Sequence, residues 1–107
     1  MIHQLKLERQ YFEAVAAGHK TFEVRYNDRE YQEGDYLALN EITTGEDTPT
    51  GWAYTGRSCM VQVDYILEDD KYLQPGYVCM AIKPCGIITR HKDPYCGGQD
   101  IYQVPTY

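Results

Sequence analysis

The sequence predicts a mainly β protein of the α+β class, a small mixed β-barrel with one or two helices and an irregular C-terminal extension. Short segments of alternating apolar and polar residues, separated by glycine and proline turns, indicate several strands. One segment near the start has its apolar residues at helical spacing instead. With 107 residues, of which 43% are hydrophobic, the chain is long enough for one domain with a core.

The first predicted elements are a strand over residues 2–7 and a helix over residues 8–17. Four apolar residues of the helix share one face: Tyr11, Phe12, Val15 and Ala16. Gly18 follows the last of them, at the position where helices commonly end in a left-handed cap. A strand, a helix and a tight turn therefore open the chain.

The next predicted strand, residues 21–26, is the most informative stretch of the sequence. Three apolar side chains alternate on one face, which we expect to enter the core: Phe22, Val24 and Tyr26. The other face then carries Glu23 and Arg25, an acid and a base about 6.6 Å apart along the strand. Such a face can hydrogen-bond a polar ligand or transfer a proton on one.

Three more strands are predicted, at residues 36–42, 57–67 and 77–82, with an exposed loop at 43–51. Four residues of the second share a face that we expect to pack in the barrel: Val61, Val63, Tyr65 and Leu67. The run at 77–82 is almost entirely apolar, which predicts a central strand buried on both faces.

From Lys83 onward the composition changes, because the last 25 residues contain three prolines and a Gly-Gly pair. We therefore predict one domain over residues 1–82 and a loop-rich extension, residues 83–107, packed on that domain rather than forming a second one.

The four cysteines form two pairs with different predictions. Cys59 and Cys79 lie in predicted strands, where buried free thiols are expected. Cys85 and Cys96 flank His91, but they lack a Cys-x-x-Cys pair and a fourth ligand. For this second pair a bridge and a bound metal stay open beside the favoured free thiols, and we expect no metal and no cofactor.

Sixteen acids against ten bases give a net charge of −6. Proteins that track duplex nucleic acid or coat membranes are normally basic, so this charge argues against a long phosphate-binding surface. A small basic pocket remains compatible with it. The sequence also lacks an apolar run long enough for a membrane span and a signal-peptide pattern, so we expect a cytoplasmic protein with no membrane partner.

Several motifs, taken in order, resemble a known family. The pattern Gly18-x-Lys20-x-x-Glu23-x-Arg25 is similar to the signature of ASCH domains, a branch of the PUA-like superfamily. The resemblance extends over residues 2–82 to the bacterial and phage subfamily DUF3850. Further motifs carry it: Asn27-Asp28-Arg29, Gly34-Asp35-x-Leu37, Tyr54-Thr55-Gly56-Arg57, Tyr65-Ile66-Leu67 and Gly76-Tyr77-Val78.

The resemblance implies a five- or six-stranded mixed β-barrel with a cleft lined by the signature residues. It also implies binding of RNA, a nucleotide or a modified nucleoside. One bacterial branch of ASCH domains hydrolyses the amide of acetylated cytidine through a Lys, a Thr and a Glu, and another has ribonuclease activity. By position that Lys falls on Lys20, whereas the Thr falls on Glu23, so the hydroxyl is absent. The distant acid has three candidates: Glu41, Asp64 and Glu68.

The ligand-binding residues that we predict are Lys20, Glu23, Arg25, Asn27, Arg29, Arg57, Tyr26 and Tyr54. If the protein is an enzyme, Lys20 and Glu23 are its catalytic candidates. Lys20 could instead only favour the negative end of the helix dipole, and Glu23 could form a structural ion pair with Arg25. An arginine fixed in this way still presents donors suited to phosphate or to a base edge.

Aromatic residues near this cleft suggest a rim on which unpaired bases stack. The candidates are Tyr26, Tyr31, Tyr54 and Trp52. Our first hypothesis is therefore a small module that binds RNA, a nucleotide or a nucleoside in a local polar cleft. A hydrolase acting on a modified nucleoside or on RNA is one alternative, and a phage–host interaction or nucleotide-sequestering protein is another. The sequence does not predict an oligomeric state.

Overall fold

The computed structural model describes residues 1–45, 48–90 and 100–103. Within them lie one helix and six strands, in the order β1 Ile2–Glu8, α1 Arg9–Ala16, β2 Phe22–Tyr26, β3 Tyr36–Thr44, β4 Trp52–Leu67, β5 Tyr77–Arg90 and β6 Asp100–Gln103. The strands form one sheet, ordered β1-β3-β4-β5-β2, and β6 pairs with β5. β1 runs parallel to β3 and the other pairs are antiparallel. The predicted mixed, mainly β architecture is confirmed. Strands β1 to β5 form a sheet curled into a half-barrel, and the fold has one short helix.

Two strands extend beyond their predicted ends. β4 begins at Trp52 instead of Arg57, directly after the predicted loop at 43–51. β5 continues past Ile82 to Arg90 and stays paired with β4 over that length. The first residues of the predicted irregular extension are therefore strand, because Pro84 lies at an irregularity of the ladder rather than ending it. His91 and Cys96 lie outside the described residues.

The helix lies over the inner face of the sheet and ends where the sequence predicts. Phe12 and Val15 are buried against the core. Gly18 has φ +77°, and the backbone N–H groups of His19 and Lys20 donate to the Ala14 carbonyl at 2.9 and 3.0 Å. Glycine takes this left-handed conformation without a Cβ penalty, which lets the chain turn sharply from α1 toward β2.

The orientation of β2 is opposite to the one expected. Glu23 is 2% exposed, whereas Val24 and Tyr26 are 47% and 58% exposed. The ladder explains the difference: Glu23 pairs with Met80, a buried residue of β5, and paired residues point to the same side of a sheet. The prediction that the apolar face of this strand enters the core is therefore wrong, and the polar face lies inside the half-barrel.

A bulge in β4 overturns a second expectation about faces. Val61 and Val63 are buried as predicted, but the register with β5 shifts between Val63 and Tyr65. The extra residue reverses the alternation that follows, so Tyr65 is 59% exposed and Ile66 packs against the core instead. The predicted packing of Tyr65 in the barrel is wrong for this reason.

The cysteines of the described residues are free thiols, as predicted. Cys59 is fully buried, and burial raises the pKa of its thiol to about 11. Cys79 and Cys85 are half-buried, so Cys79 is more accessible than expected. A buried thiol of raised pKa is a weak nucleophile, so Cys59 serves packing rather than chemistry.

Candidate functional site

A pocket of about 310 Å³ lies between β1 and β2, the two ends of the strand order. Residues 6–8, Tyr11, Lys20 and residues 22–25 line it. One side-chain hydrogen bond crosses the gap, from Arg25 Nη2 of β2 to the Lys6 carbonyl of β1 at 2.9 Å. The pocket is thus the place where the half-barrel remains open.

The buried Glu23 carboxylate is the centre of this pocket's polar wall. Its Oε1 accepts a hydrogen bond from Lys20 Nζ, and its Oε2 accepts one from Arg25 Nε at 3.0 Å. Lys20 Nζ also donates to the Phe22 carbonyl at 2.6 Å. Two cations therefore hold one carboxylate, which confirms the expected ion pair between Glu23 and Arg25.

Local sequence accounts for this arrangement. The cap at Gly18 brings Lys20 to the start of β2, and the two-residue period of the strand places Glu23 and Arg25 on the same face. The Lys20 side chain is 16% exposed and lies on Glu23. The ammonium thus has a specific acidic partner, beyond any interaction with the helix dipole.

The two cations retain hydrogen-bond donors for a ligand. An ammonium has three N–H donors and a guanidinium has five. Among the described residues, Lys20 uses two of its donors and Arg25 uses two of its own. With two positive charges and one negative charge, the cluster is a local positive site on a chain whose net charge is −6.

An apolar hollow of about 200 Å³ adjoins the pocket. Lys20 lines both spaces, since one side of its side chain faces Glu23 and the other faces the hollow. The remaining lining residues are Val15, Gly18, Thr21, Val61, Ile82 and Pro84. A ligand with a polar group at the cluster can therefore place an apolar part beside it.

A second buried carboxylate, Glu41 of β3, has a different set of partners. It is fully buried and accepts hydrogen bonds from Arg57 Nε at 3.0 Å, from Arg57 Nη2 at 2.6 Å and from Thr55 Oγ1 at 2.5 Å. Arg57 also pairs with Glu13 of α1, and Arg9 Nε lies 3.7 Å from the Glu41 carboxylate. This cluster ties the helix to the hairpin of β3 and β4.

An irregularity in the β3–β4 ladder builds the Glu41 cluster. Asn40 pairs with Ser58 and Ile42 pairs with Tyr54, so residues 55–57 stand opposite Glu41 alone. The chain makes this detour at Gly56, whose φ is +95°. The motif at 54–57 therefore supplies the hydroxyl and the guanidinium that bind one buried carboxylate.

The electrostatics of the second cluster follow from those contacts. Burial acts to raise the pKa of Glu41, but the hydrogen bonds from Arg57 and Thr55 outweigh it, so the pKa lies below its ordinary value of 4.5. The hydrogen bond to Glu41 likewise raises the pKa of Arg57. Sequence reasoning missed this cluster, although an acid at the inward position after Leu37 and Leu39 was a usable signal.

The structure brings Lys20, Glu23 and Arg25 together and places the other predicted ligand-binding residues elsewhere. Arg57 belongs to the Glu41 cluster. The Asn27 side chain accepts a hydrogen bond from the Tyr31 backbone N–H at 3.0 Å and lines a different pocket. Arg29 is 44% exposed and its nearest acid, Asp28, is 3.9 Å away. The structure therefore does not bring all the predicted ligand-binding residues to one cleft.

The aromatic residues predicted to form a stacking rim do not surround the pocket. Tyr26 lies on the outer face of β2, and Tyr54 packs edge-on against Trp52 with ring centroids 4.9 Å apart. Tyr31 is 4% exposed and packs on His3 at 4.8 Å. Burial excludes Tyr31 from a stacking rim. Tyr11, which the sequence places on the apolar face of the helix, lines the pocket and is 46% exposed.

The three candidates for a distant catalytic acid lie in unlike settings. Glu41 is fully buried and already bound by Arg57. Asp64 is half exposed and pairs with Lys83 at 3.1 Å. Glu68 is exposed and lines the same pocket as Asn27. None of the three lines the pocket that holds Glu23.

In the part of the chain that the structure describes, no three side chains of His, Cys, Asp or Glu come together as a metal-binding group. Nor does any described helix combine the length and hydrophobicity needed to cross a bilayer.

Comparison with known proteins gives two matches. Residues 2–82 match the family described as "Domain of unknown function (DUF3850)". The chain is also similar to the "Uncharacterized 12.9 kDa protein in GpA 3′region" of Escherichia phage P2, with 33% identity over 73 residues. That alignment covers 68% of this chain and 61% of the phage protein, so the chain spans less than two thirds of its relative. Both clusters lie inside the matched range.

Proposed function

The chain belongs to the DUF3850 family, and from that premise we propose that it is a PUA-like module of the ASCH type which binds RNA, a nucleotide or a modified nucleoside between β1 and β2. One observation carries the proposal: a buried carboxylate is held by two cations that keep unused donors, at the wall of an open pocket. Neither the family description nor the relative's name states an activity.

The cations fit the oxygen atoms of a nucleotide. Arg25 is fixed by Glu23 and by the Lys6 carbonyl, so its remaining N–H groups have a defined direction. Such a planar set of donors suits two oxygens of a phosphate or the acceptor edge of a base. Lys20 adds a compact charge that binds phosphate or carbonyl oxygen.

Glu23 supports this recognition in two ways. Its charge and hydrogen bonds fix the positions of Lys20 and Arg25, which lowers the ordering cost of binding. Each carboxylate oxygen can accept more than one hydrogen bond, so the group can also accept from the exocyclic amine of a base. Recognition of both an anion and an amine is a combination that nucleotides provide.

The dimensions of the pocket favour a small ligand. A volume of about 310 Å³ lies at the lower end of the usual range for small-molecule sites. The net charge of −6 disfavours a long phosphate-binding track beside it. A mononucleotide, a nucleoside or the terminal nucleotide of an RNA fits both limits.

The contact between Lys20 and Glu23 favours a second candidate, a hydrolase acting on a modified nucleoside or on RNA. An amine and a carboxylate in direct hydrogen-bond contact can exchange a proton during catalysis. The adjoining apolar hollow offers space for a substituent on the base. Glu23 would serve as the general acid or base and Lys20 as its electrostatic partner.

A ligand panel tests both candidates. It contains ribonucleoside monophosphates, free and base-acylated nucleosides, and short single-stranded RNAs with and without a 5′-phosphate. We expect saturable binding of at least one class in calorimetric titration, and a loss of about tenfold or more in Lys20→Ala, equivalent to about 1.4 kcal/mol. A steep decrease with salt would indicate phosphate contacts, and a shallow one base recognition.

The matched control is Lys71→Ala, which removes the same charge from an exposed position outside the pocket and should leave affinity unchanged. Equal affinities for the wild type and Lys20→Ala would refute the proposed site. Product release from an acylated nucleoside that Glu23→Gln abolishes would establish the hydrolase. Turnover that persists in Glu23→Gln would assign the activity to another site or to a contaminant.

A further inference from the structure

The outer side of the sheet carries an apolar surface that the described residues leave uncovered, and it reaches the pocket at Phe22 and Val24. Six side chains form this outer apolar face: Phe22, Val24, Tyr26, Tyr65, Leu67 and Tyr77. Strand pairing makes the surface continuous, because β5 lies between β2 and β4 and contributes Cys79 and Ala81 between the larger side chains. The surface thus spans three adjacent strands.

The size of the outer apolar face is unusual for a chain of this length. In the described part of the chain, half of the twelve exposed large hydrophobic residues lie on it. Their exposed fractions range from 36% to 59%, which corresponds to about 600 Å² of accessible surface when each full side chain presents about 200 Å². A patch of about that area is at the upper limit for monomeric proteins and commonly marks an interaction site.

The aromatic side chains of the face are held in place. The rings of Tyr26 and Tyr77 pack edge to face, with centroids 5.5 Å apart. Tyr26 also lies directly on the backbone of Gly76, where an added Cβ would come within 2.6 Å of the ring. Because these rings are already ordered, a partner would bind them at little cost in conformational entropy.

The chemistry of the face selects among possible partners. None of its six side chains is charged, and the ammonium of Lys20 lies only at its edge, 5.0 Å from the centroid of the Phe22 ring, so the face offers few contacts to the phosphates of a nucleic acid. The chain as a whole is acidic, which disfavours an anionic membrane surface. A second copy, by contrast, brings an identical neutral surface that is self-complementary under two-fold symmetry.

We propose that two copies of the chain pack face to face through the outer apolar face. At complete contact the two patches bury somewhat less than about 1,200 Å², which still exceeds the roughly 1,000 Å² expected of a biological interface. Since β2 carries the outer apolar face on one side and Glu23 and Arg25 on the other, the dimer braces the strand that forms one wall of the pocket. The face adjoins the proposed ligand site, since Phe22 and Val24 also line the pocket, but the inference does not rest on the proposed function.

Sedimentation equilibrium of the full chain tests the proposal. At about 100 µM, where an interface of this size should be populated, the wild type should have twice the protomer mass of 12.4 kDa. Tyr65→Glu places a carboxylate on the β4 side of the face, away from the pocket, and should raise the dimer dissociation constant at least tenfold. Tyr72→Glu is the matched control, because Tyr72 is 76% exposed and lies outside the face, and it should leave the dimer intact.

Thermal melts of both variants show whether they fold, and Leu67→Glu provides a second disruption at another point of the face. A wild type that stays at 12.4 kDa would overturn the proposal. A dimer that Tyr65→Glu and Leu67→Glu leave intact would also overturn it. So would a monomer that binds single-stranded oligouridylate with an affinity lost in Tyr65→Glu, because that result would assign the face to RNA.

Discussion

Glu23 and Glu41 are both buried carboxylates inside the same curled sheet, but the charges around them balance differently. Glu41 and Glu13 together face Arg57 and Arg9, so acids and bases are equal in number. Glu23 alone faces Lys20 and Arg25, which leaves an excess positive charge at an open pocket.

The difference separates a structural ion cluster from a candidate binding site. A buried ion pair by itself indicates neither stability nor function, because desolvation offsets much of its attraction. At Glu41 the guanidinium of Arg57 is shared between two acids and joins α1 to the hairpin. Arg57 also lines a pocket, of about 340 Å³, but the charges around Glu41 balance, whereas at Glu23 an excess positive charge faces the pocket between β1 and β2.

The largest expected effect follows from removing each acid in turn. Glu23→Ala leaves two partly buried cations side by side, so we expect the free energy of unfolding in urea to fall by about 3 kcal/mol. Glu41→Ala should cost about 2 kcal/mol, because Arg57 keeps Glu13 and is 34% exposed.

Sulfate sharpens this comparison, since the anion can occupy the place of a missing carboxylate. Added sulfate stabilises folded proteins in general, so the informative quantity is the difference between the variants. We expect Glu23→Ala to gain more stability from sulfate than Glu41→Ala or the wild type. An equal gain in all three proteins would contradict the charge imbalance at the pocket.

A smaller effect should appear in the pH dependence of stability. The pKa of Glu41 is below its ordinary value of 4.5, so its contribution is fully present above about pH 4.5 and is lost as the pH falls through the folded-state pKa. Urea midpoints should therefore decline more steeply below pH 4.5 in the wild type than in Glu41→Gln. Parallel curves for the two proteins would show that Glu41 does not contribute in this way.

Much of the fold was predictable because its signals are local. The periodicity of residues 9–16 and the glycine after them define the helix and its end. The strand positions followed from the alternation of apolar and polar residues. Glu23 and Arg25, two residues apart on β2, predicted their ion pair. The resemblance of the motifs to a known family added the prediction that the strands form a barrel-like sheet.

The orientation of faces was not predictable in the same way. Alternation predicts that Glu23 and Val24 point to opposite sides of the sheet. Which of them faces the concave side depends on the long-range pairing of β2 with Val78 and Met80 of β5. Likewise, the bulge before Tyr65 has no obvious signal in a run of β-branched and aromatic residues. Hydrophobic residues are expected in the core, so the exposed apolar side chains of β2, such as Val24 and Tyr26, led to the wrong orientation.

The separation of the predicted site residues in the structure was not predictable for a related reason. Asn27 and Arg29 are close to Arg25 in sequence, yet β2 ends at Tyr26 and the chain turns away from the pocket. Arg57 was predicted to line the same cleft as Lys20, but its side chain binds Glu41 of β3 instead. Proximity in sequence could not distinguish these cases.

The affinity change caused by matched arginine substitutions tests most directly whether the Glu23 cluster is the binding site. Arg25→Lys and Arg57→Lys both keep the charge and remove the planar guanidinium. With the nucleotide or RNA end that binds most tightly, calorimetric titration should show a loss of about tenfold in Arg25→Lys and a change below about twofold in Arg57→Lys. A larger loss in Arg57→Lys, or no loss in Arg25→Lys, would contradict the account.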